Sequence, residues 1–216
     1  MSGPLYWIWG AGPKSRPAKA EVERIAGAPA GSLDNAWRQY RAGTTTTPPV
    51  SDLAPGAVER LRNRLRSAPD RSLFFGAPSL QQMSGGLVTR TRRRGQRASK
   101  VVFEDHGFVG GNPAEVMLFF GRDAVSLRTL PMYRRWFEQM RDAIAPDGGI
   151  YLVHCDAASD NCRLMQAISR IVGLPVYGAD AIQDVGNQAM EGQAYRVTSN
   201  QVRPIRSFPQ AVLHFD

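Results

Sequence analysis

His106 and Cys155 form a pair suited to covalent chemistry, a group that moves protons near neutral pH and a nucleophile, 49 positions apart in the chain. A cysteine attacks through its thiolate, and a neighbouring imidazole or a helix N-terminus favours that form by stabilising negative charge. The imidazole takes the thiol proton and later returns it to a leaving amine, so the chemistry on offer is acyl transfer at a carbonyl carbon. Taken singly, such a thiol reads as a small buried hydrophobe and such a histidine as a satisfied residue at the core edge. What precedes each residue is the reason to read them together.

His106 follows Lys100-Val101-Val102-Phe103-Glu104-Asp105, and Cys155 comes just after Gly149-Ile150-Tyr151-Leu152-Val153. Both runs are short, rich in β-branched and aromatic residues, and bounded by glycine or charge, the pattern of buried strands. In an open α/β sheet, sites assemble at the carboxyl ends of parallel strands, because helices cover the faces and the loops beyond the strands form the crevice. His154 precedes Cys155 and competes for the role of base. Adjacent side chains on a strand point to opposite faces, so His154 is assigned to structure. His214 has no supporting motif.

The other elements follow from pattern. Leu5 to Trp9 and Leu73 to Phe75 read as strands, Lys19 to Ala26 and Leu33 to Arg41 as short helices. Gly43-Thr44-Thr45-Thr46-Thr47-Pro48-Pro49 is a break, and Ser51-Asp52 caps a helix with Val58, Leu61, Leu65 and Ala68 on one face. Gln81 to Gly86 reads as a polar, glycine-rich loop. After His106 a Gly/Asn/Pro loop leads to an extended Val116 to Phe120. Leu130, Tyr133, Phe137, Met140 and Ile144 line a helix stopped by Pro146-Asp147-Gly148-Gly149. Leu164, Met165, Ile168, Ile171 and Val172 line another, with Ser159 or Asp160 at its start. Val176-Tyr177, Tyr195 to Thr198 and Ala211 to Phe215 read as strands, and Asp184 to Gln193 as a polar loop. Strand and helix alternate in the second half, which predicts an α/β fold, a three-layer α/β/α sandwich with a mostly parallel central sheet. Residues 1–216 fit a single domain, with residues 1–50 read either as part of it or as an N-terminal extension.

Between Val101 and Gln183 the chain resembles the caspase-like (clan CD) cysteine peptidases, most of all the bacterial version found in large secreted toxins and adhesins. The residues that carry the resemblance are Phe103-Glu104-Asp105-His106-Gly107, Gly110-Gly111 and Met117-Leu118-Phe119-Phe120-Gly121, then Ile150 to Cys155, the helix after Asn161, and Gly173-Leu174-Pro175-Val176-Tyr177-Gly178. The His-to-Cys separation is close to that of caspases. The resemblance implies a caspase-like domain in which His106 and Cys155 are the catalytic dyad, working without a cofactor on a protein or peptide substrate. It also implies an oxyanion site at the amide of Gly107, a position without a Cβ, together with the amide of Cys155. Asp105 and Asp156 flank the dyad and Asp180 follows the next strand, a set of carboxylates expected to bind a basic side chain of the substrate. The chain departs from true caspases in having Asp156-Ala157-Ala158 after the cysteine and no long linker after Gly173, which argues against maturation by cutting into two chains.

Competing readings are weaker on their own terms. Cysteine phosphatases place an arginine six positions after the nucleophile, where this chain has Asn161, and Asp156 and Asp160 would repel a phosphate. Three histidines and two cysteines offer no metal-ligand spacing of a known kind, and the glycines of Ser84-Gly85-Gly86 and Gly107 to Gly111 match no phosphate loop. Cys155 and Cys162 read as two reduced thiols. The net charge of +8 concentrates between Arg71 and Phe103, where Arg71, Arg90, Arg92, Arg93, Arg94, Arg97 and Lys100 face no acidic residue. Arg90 to Lys100 is expected to be an exposed loop open to an anionic partner. It lacks the interleaved aromatics of a nucleic-acid surface. No apolar run is long enough to span a membrane, and Leu5-Tyr6-Trp7-Ile8-Trp9 is too short for a signal peptide. The expected location is the cytoplasm, or outside after export without a cleavable signal. A catalytically silent caspase-like module that binds a partner protein is the alternative to the peptidase.

Overall fold

The computed structural model describes residues 3–11, 16–41, 73–181 and 192–206. In chain order the elements are β1 (Leu5–Gly10), α1 (Arg16–Ala26), α2 (Ser32–Arg41), β2 (Phe74–Ala77), α3 (Leu80–Arg94), β3 (Ala98–Glu104), β4 (Gly107–Gly110), β5 (Glu115–Phe120) and β6 (Asp123–Ser126). Then follow α4 (Leu130–Arg141), β7 (Ile144–Val153), α5 (Arg163–Val172), β8 (Val176–Ala179), β9 (Ala194–Val197) and β10 (Val202–Ile205). Seven strands form the central sheet in the order β10-β9-β8-β7-β3-β1-β2, and β4-β5-β6 make a small antiparallel sheet. The pairs from β2 through β1, β3 and β7 to β8 are parallel, and β9 and β10 add antiparallel at the far edge. The fold is therefore α/β with a mostly parallel sheet, an arrangement compatible with a three-layer sandwich.

Helices α3, α4 and α5 pack side by side on one face. All three carry the chain in the same direction across the sheet, α3 from β2 past β1 to β3, α4 on to β7 and α5 on to β8. Their apolar faces meet Val101, Phe103, Ile150 and Leu152 in the main core. The other face of the sheet carries a separate buried cluster of Trp7, Phe74, Val102, Tyr151, Val153, Ala179 and Ala194. Residues alternate between these two clusters along β3 and β7, the period of two expected of strands buried on both sides.

The small sheet is a wedge beside the main one. Along β5, Val116, Leu118 and Phe120 join the main core while Met117 and Phe119 pack with Ala18, Val22 and Ile25 of α1. Phe120 meets Phe103 and Phe137 edge-on, with ring centroids 5.4 Å and 5.8 Å apart.

Four expectations need correction. Gln81 to Gly86 is no loop but the first half of α3, capped by the Ser79 hydroxyl, which accepts from the Gln82 N–H, and ended by Gly95 at φ 61°. Leu80, Met83, Leu87 and Thr91 recur at helical spacing, and Gly86 is there because a Cβ would stand 2.7 Å from the Phe75 ring. Arg90 to Lys100 is consequently not a loop: Arg90 to Arg94 end α3 and Ala98 opens β3, although Arg92, Arg93, Arg94 and Arg97 are exposed. Ile144 does not extend α4, which stops at Arg141; it begins β7, and Pro146 to Gly148 bulge from that strand because the register to β3 shifts there. The Gly/Asn/Pro loop does not follow His106 directly: β4 comes first, and the loop is the turn at 111–114 that joins it to β5. The break at 43–49, the helix at 51–68, most of the loop at 184–193, the strand at 211–215 and His214 lie outside the described residues.

Candidate functional site

Strands β3 and β7 are neighbours at the centre of the sheet, and their last register pair is Glu104 with Val153. His106 and Cys155 each stand two residues beyond that pair, so the structure brings them to the carboxyl ends of adjacent strands. Both are half-buried. Gly107 closes the gap between the two loops: a Cβ there would stand 1.7 Å from the Cys155 carbonyl oxygen and 3.0 Å from its nitrogen. No other residue fits without moving the Cys155 main chain.

The small sheet aims Gly107. The Phe119 N–H donates to the His106 carbonyl at 2.9 Å, which makes 106 and 119 a hydrogen-bonded pair, and Gly107 opposite Leu118 the next, non-bonded pair. By that alternation the Gly107 N–H turns out of the ladder, away from β5.

The three carboxylates expected to line a substrate pocket separate into two groups. Asp105 is buried, and its oxygens accept from the N–H groups of His106 at 2.8 Å and Gly121 at 2.7 Å. It clamps the turn that carries His106. Asp156 and Asp180 stay together beside Cys155, because the Asp156 and Ala158 N–H groups donate to the Ala181 and Ala179 carbonyls just past β8. Ser159 Oγ lies 3.3 Å from Asp156 Oδ1 and 3.4 Å from the Asp180 carbonyl. Burial raises the pKa of Asp156 and the charge of Asp180 raises it further, against the lowering effect of the Ser159 hydroxyl. Asp180 accepts from the Gln193 N–H at 2.7 Å and the Tyr195 hydroxyl at 3.3 Å. Ser159 and Tyr195 were not expected here, and no spacing in the chain announces them.

Cys162 belongs to a different setting. It is buried at the entry to α5 with φ 62°, and burial, helped by Asp160 and Asp180, pushes its thiol up to about 12. Asp160, as expected, serves the helix start: its carboxylate accepts from the Leu164 N–H at 3.0 Å. Neither cysteine is joined in a disulfide. His154 is fully buried, its Nε2 lies 2.7 Å from the Phe119 carbonyl, and its ring packs 5.1 Å from that of Phe120. Its structural placement follows the reading from strand alternation.

Among the described residues no group of three or more His, Cys, Asp or Glu side chains could hold a metal ion, and no described helix is long and apolar enough to cross a membrane. Comparison of the chain with protein-family models, curated proteins and solved structures finds no match, so the site rests on its own geometry.

Proposed function

We propose that this chain is a caspase-like cysteine endopeptidase of bacterial effector or toxin type, in which His106 and Cys155 hydrolyse a peptide bond. The observation that carries the reading is the placement of both residues two positions past one register pair of adjacent central strands, with Gly107 pressed against the Cys155 main chain. In this reading the Cys155 thiol gives its proton to His106 and its sulfur bonds to the substrate carbonyl carbon. The oxyanion takes hydrogen bonds from the amides of Gly107 and Cys155. Collapse breaks the C–N bond, His106 protonates the departing amine, and water then hydrolyses the thioester with His106 as base.

Asp156 and Asp180 favour a basic residue before the scissile bond, since two carboxylates beside the nucleophile would stabilise an arginine or lysine side chain and repel an acidic one. Asp105 has no part in that preference, being committed to two backbone amides.

Peptides that differ only in that residue test the proposal. Wild type should cleave the arginine and lysine peptides at least roughly tenfold faster in kcat/KM than the aspartate peptide, Asp180→Asn should narrow the ratio, and Cys155→Ala should cleave none. Folded wild-type protein that cleaves no peptide would instead favour a silent module that binds a partner protein.

A further inference from the structure

His154 was placed above as a buried structural residue, yet its one hydrogen bond described there reaches the element that holds the other candidate catalytic residue. We propose that His154 is a positioning residue of the site, which keeps the Cys155 strand end in register with His106 through the main chain of Phe119. This inference rests on the peptidase reading.

The geometry is a short relay. The Phe119 N–H donates to the His106 carbonyl at 2.9 Å, and the Phe119 carbonyl lies 2.7 Å from Nε2 of His154, the residue bonded to Cys155. A carbonyl can only accept, so Nε2 carries the proton and donates. Both polar main-chain groups of one residue are thus spent on the two residues that decide where the dyad sits. Phe119 itself is fixed, because its side chain packs against α1 while its neighbour Phe120 is locked between Phe103, Phe137 and the His154 ring. If the end of β7 slid against the end of β3, one of these two bonds would break inside the core, where water cannot replace it.

Misplacement of reacting groups by about 1 Å costs on the order of 100-fold in rate, so the loss should appear in kcat rather than KM. His154→Phe keeps a ring of similar shape and removes the donor; His154→Gln restores an N–H that can reach the Phe119 carbonyl. In the full chain, with folding verified by circular dichroism below the thermal midpoint, His154→Phe should lower kcat by roughly 10–100-fold with KM within about twofold, and His154→Gln should recover most of it. The alkylation rate of Cys155 should also lose its dependence on His106, so that adding His106→Ala to His154→Phe has little further effect.

A merely structural histidine would lower the thermal midpoint of both variants and leave kcat and the His106 dependence intact, which overturns the inference. If His154→Phe does not fold, His154→Gln is compared with a folded His154→Ala: wild-type kcat in the first with a loss in the second supports donation to the carbonyl, and equal kcat in the two overturns it. If wild-type protein neither cleaves peptides nor shows Cys155 alkylation that depends on His106, the peptidase reading fails and this inference falls with it. If both are present and insensitive to His154, this inference alone fails.

Discussion

Cys155 and Cys162 are seven positions apart, carry the same thiol, and occupy surroundings that ask opposite things of it. Cys155 is half-buried at the end of a central strand, with Gly107 against its main chain and Asp156, in the turn that follows, close to Asp180 beyond β8. Cys162 is buried in the main core at the mouth of a helix, where desolvation and two aspartates push its thiol up to about 12. The helix N-terminus that would favour a thiolate belongs to the second cysteine, and Asp160 already occupies its first-turn amide. Position at the carboxyl end of a central strand, and not nearness to a helix dipole, therefore separates the half-buried thiol from the one used for packing.

The largest expected effect that bears on this contrast is chemical. With iodoacetamide at neutral pH and tryptic mass spectrometry as readout, Cys155 should alkylate at least about 100-fold faster than Cys162. An ordinary thiol near 8.5 is a few per cent ionised at that pH, and one near 12 is ionised on the order of one part in 10⁵. His106→Ala should slow Cys155 selectively and lower kcat by roughly 10²–10⁴. Equal and slow modification of both thiols in folded protein would erase the distinction.

A smaller effect sharpens the role of Gly107. Gly107→Ala places a methyl where the Cys155 carbonyl stands, so the nucleophile's main chain must move. The expected losses are on the order of 100-fold in turnover and about 1–3 kcal/mol in stability, read from activity assays and urea titration. Unchanged kcat with lowered stability would leave Gly107 a packing residue.

The smallest effect concerns the buried thiol alone. The folded pKa of Cys162 lies above its unfolded value near 8.5, so its contribution to stability is fully present below about pH 8.5 and is lost as the pH rises toward 12. Cys162→Ala should therefore lower the thermal midpoint slightly at pH 7 and lower its decline between pH 8.5 and 10.5. A steeper decline in the variant would contradict the assignment.

Much of this architecture could be read from residue pattern alone, and the exceptions have identifiable causes. The strands ending at His106 and Cys155, the helix at 163–172 and the extended 116–120 all announce themselves by alternation or helical spacing. Helix α3 was hidden because Gly85 and Gly86 are ordinary marks of a loop, whereas here Gly86 serves close approach of the helix to Phe75. Strands β4 and β6 are short, and β4 is bounded by glycines, so only their pairing with β5 defines them. In the site, the two strand ends were visible because they follow buried runs. The commitment of Asp105 to backbone amides and the reach of His154 to Phe119 were not, since both depend on contacts with a sheet folded back from distant chain.

Strand β10 has a consequence for self-association. Among the described residues it lies at the edge of the central sheet, and an open edge invites a strand from another copy. Its sequence resists that invitation: Pro204 has no N–H to offer a newcomer, and the exposed Arg203 places a positive charge on the edge, so two such edges meeting would bring like charges together. The Arg196 guanidinium is turned inward to the Tyr177 hydroxyl at 3.3 Å, which leaves Arg203 to present the charge outward. Growth of the sheet by stacking copies along this edge is thereby disfavoured by both a missing hydrogen bond and like charge.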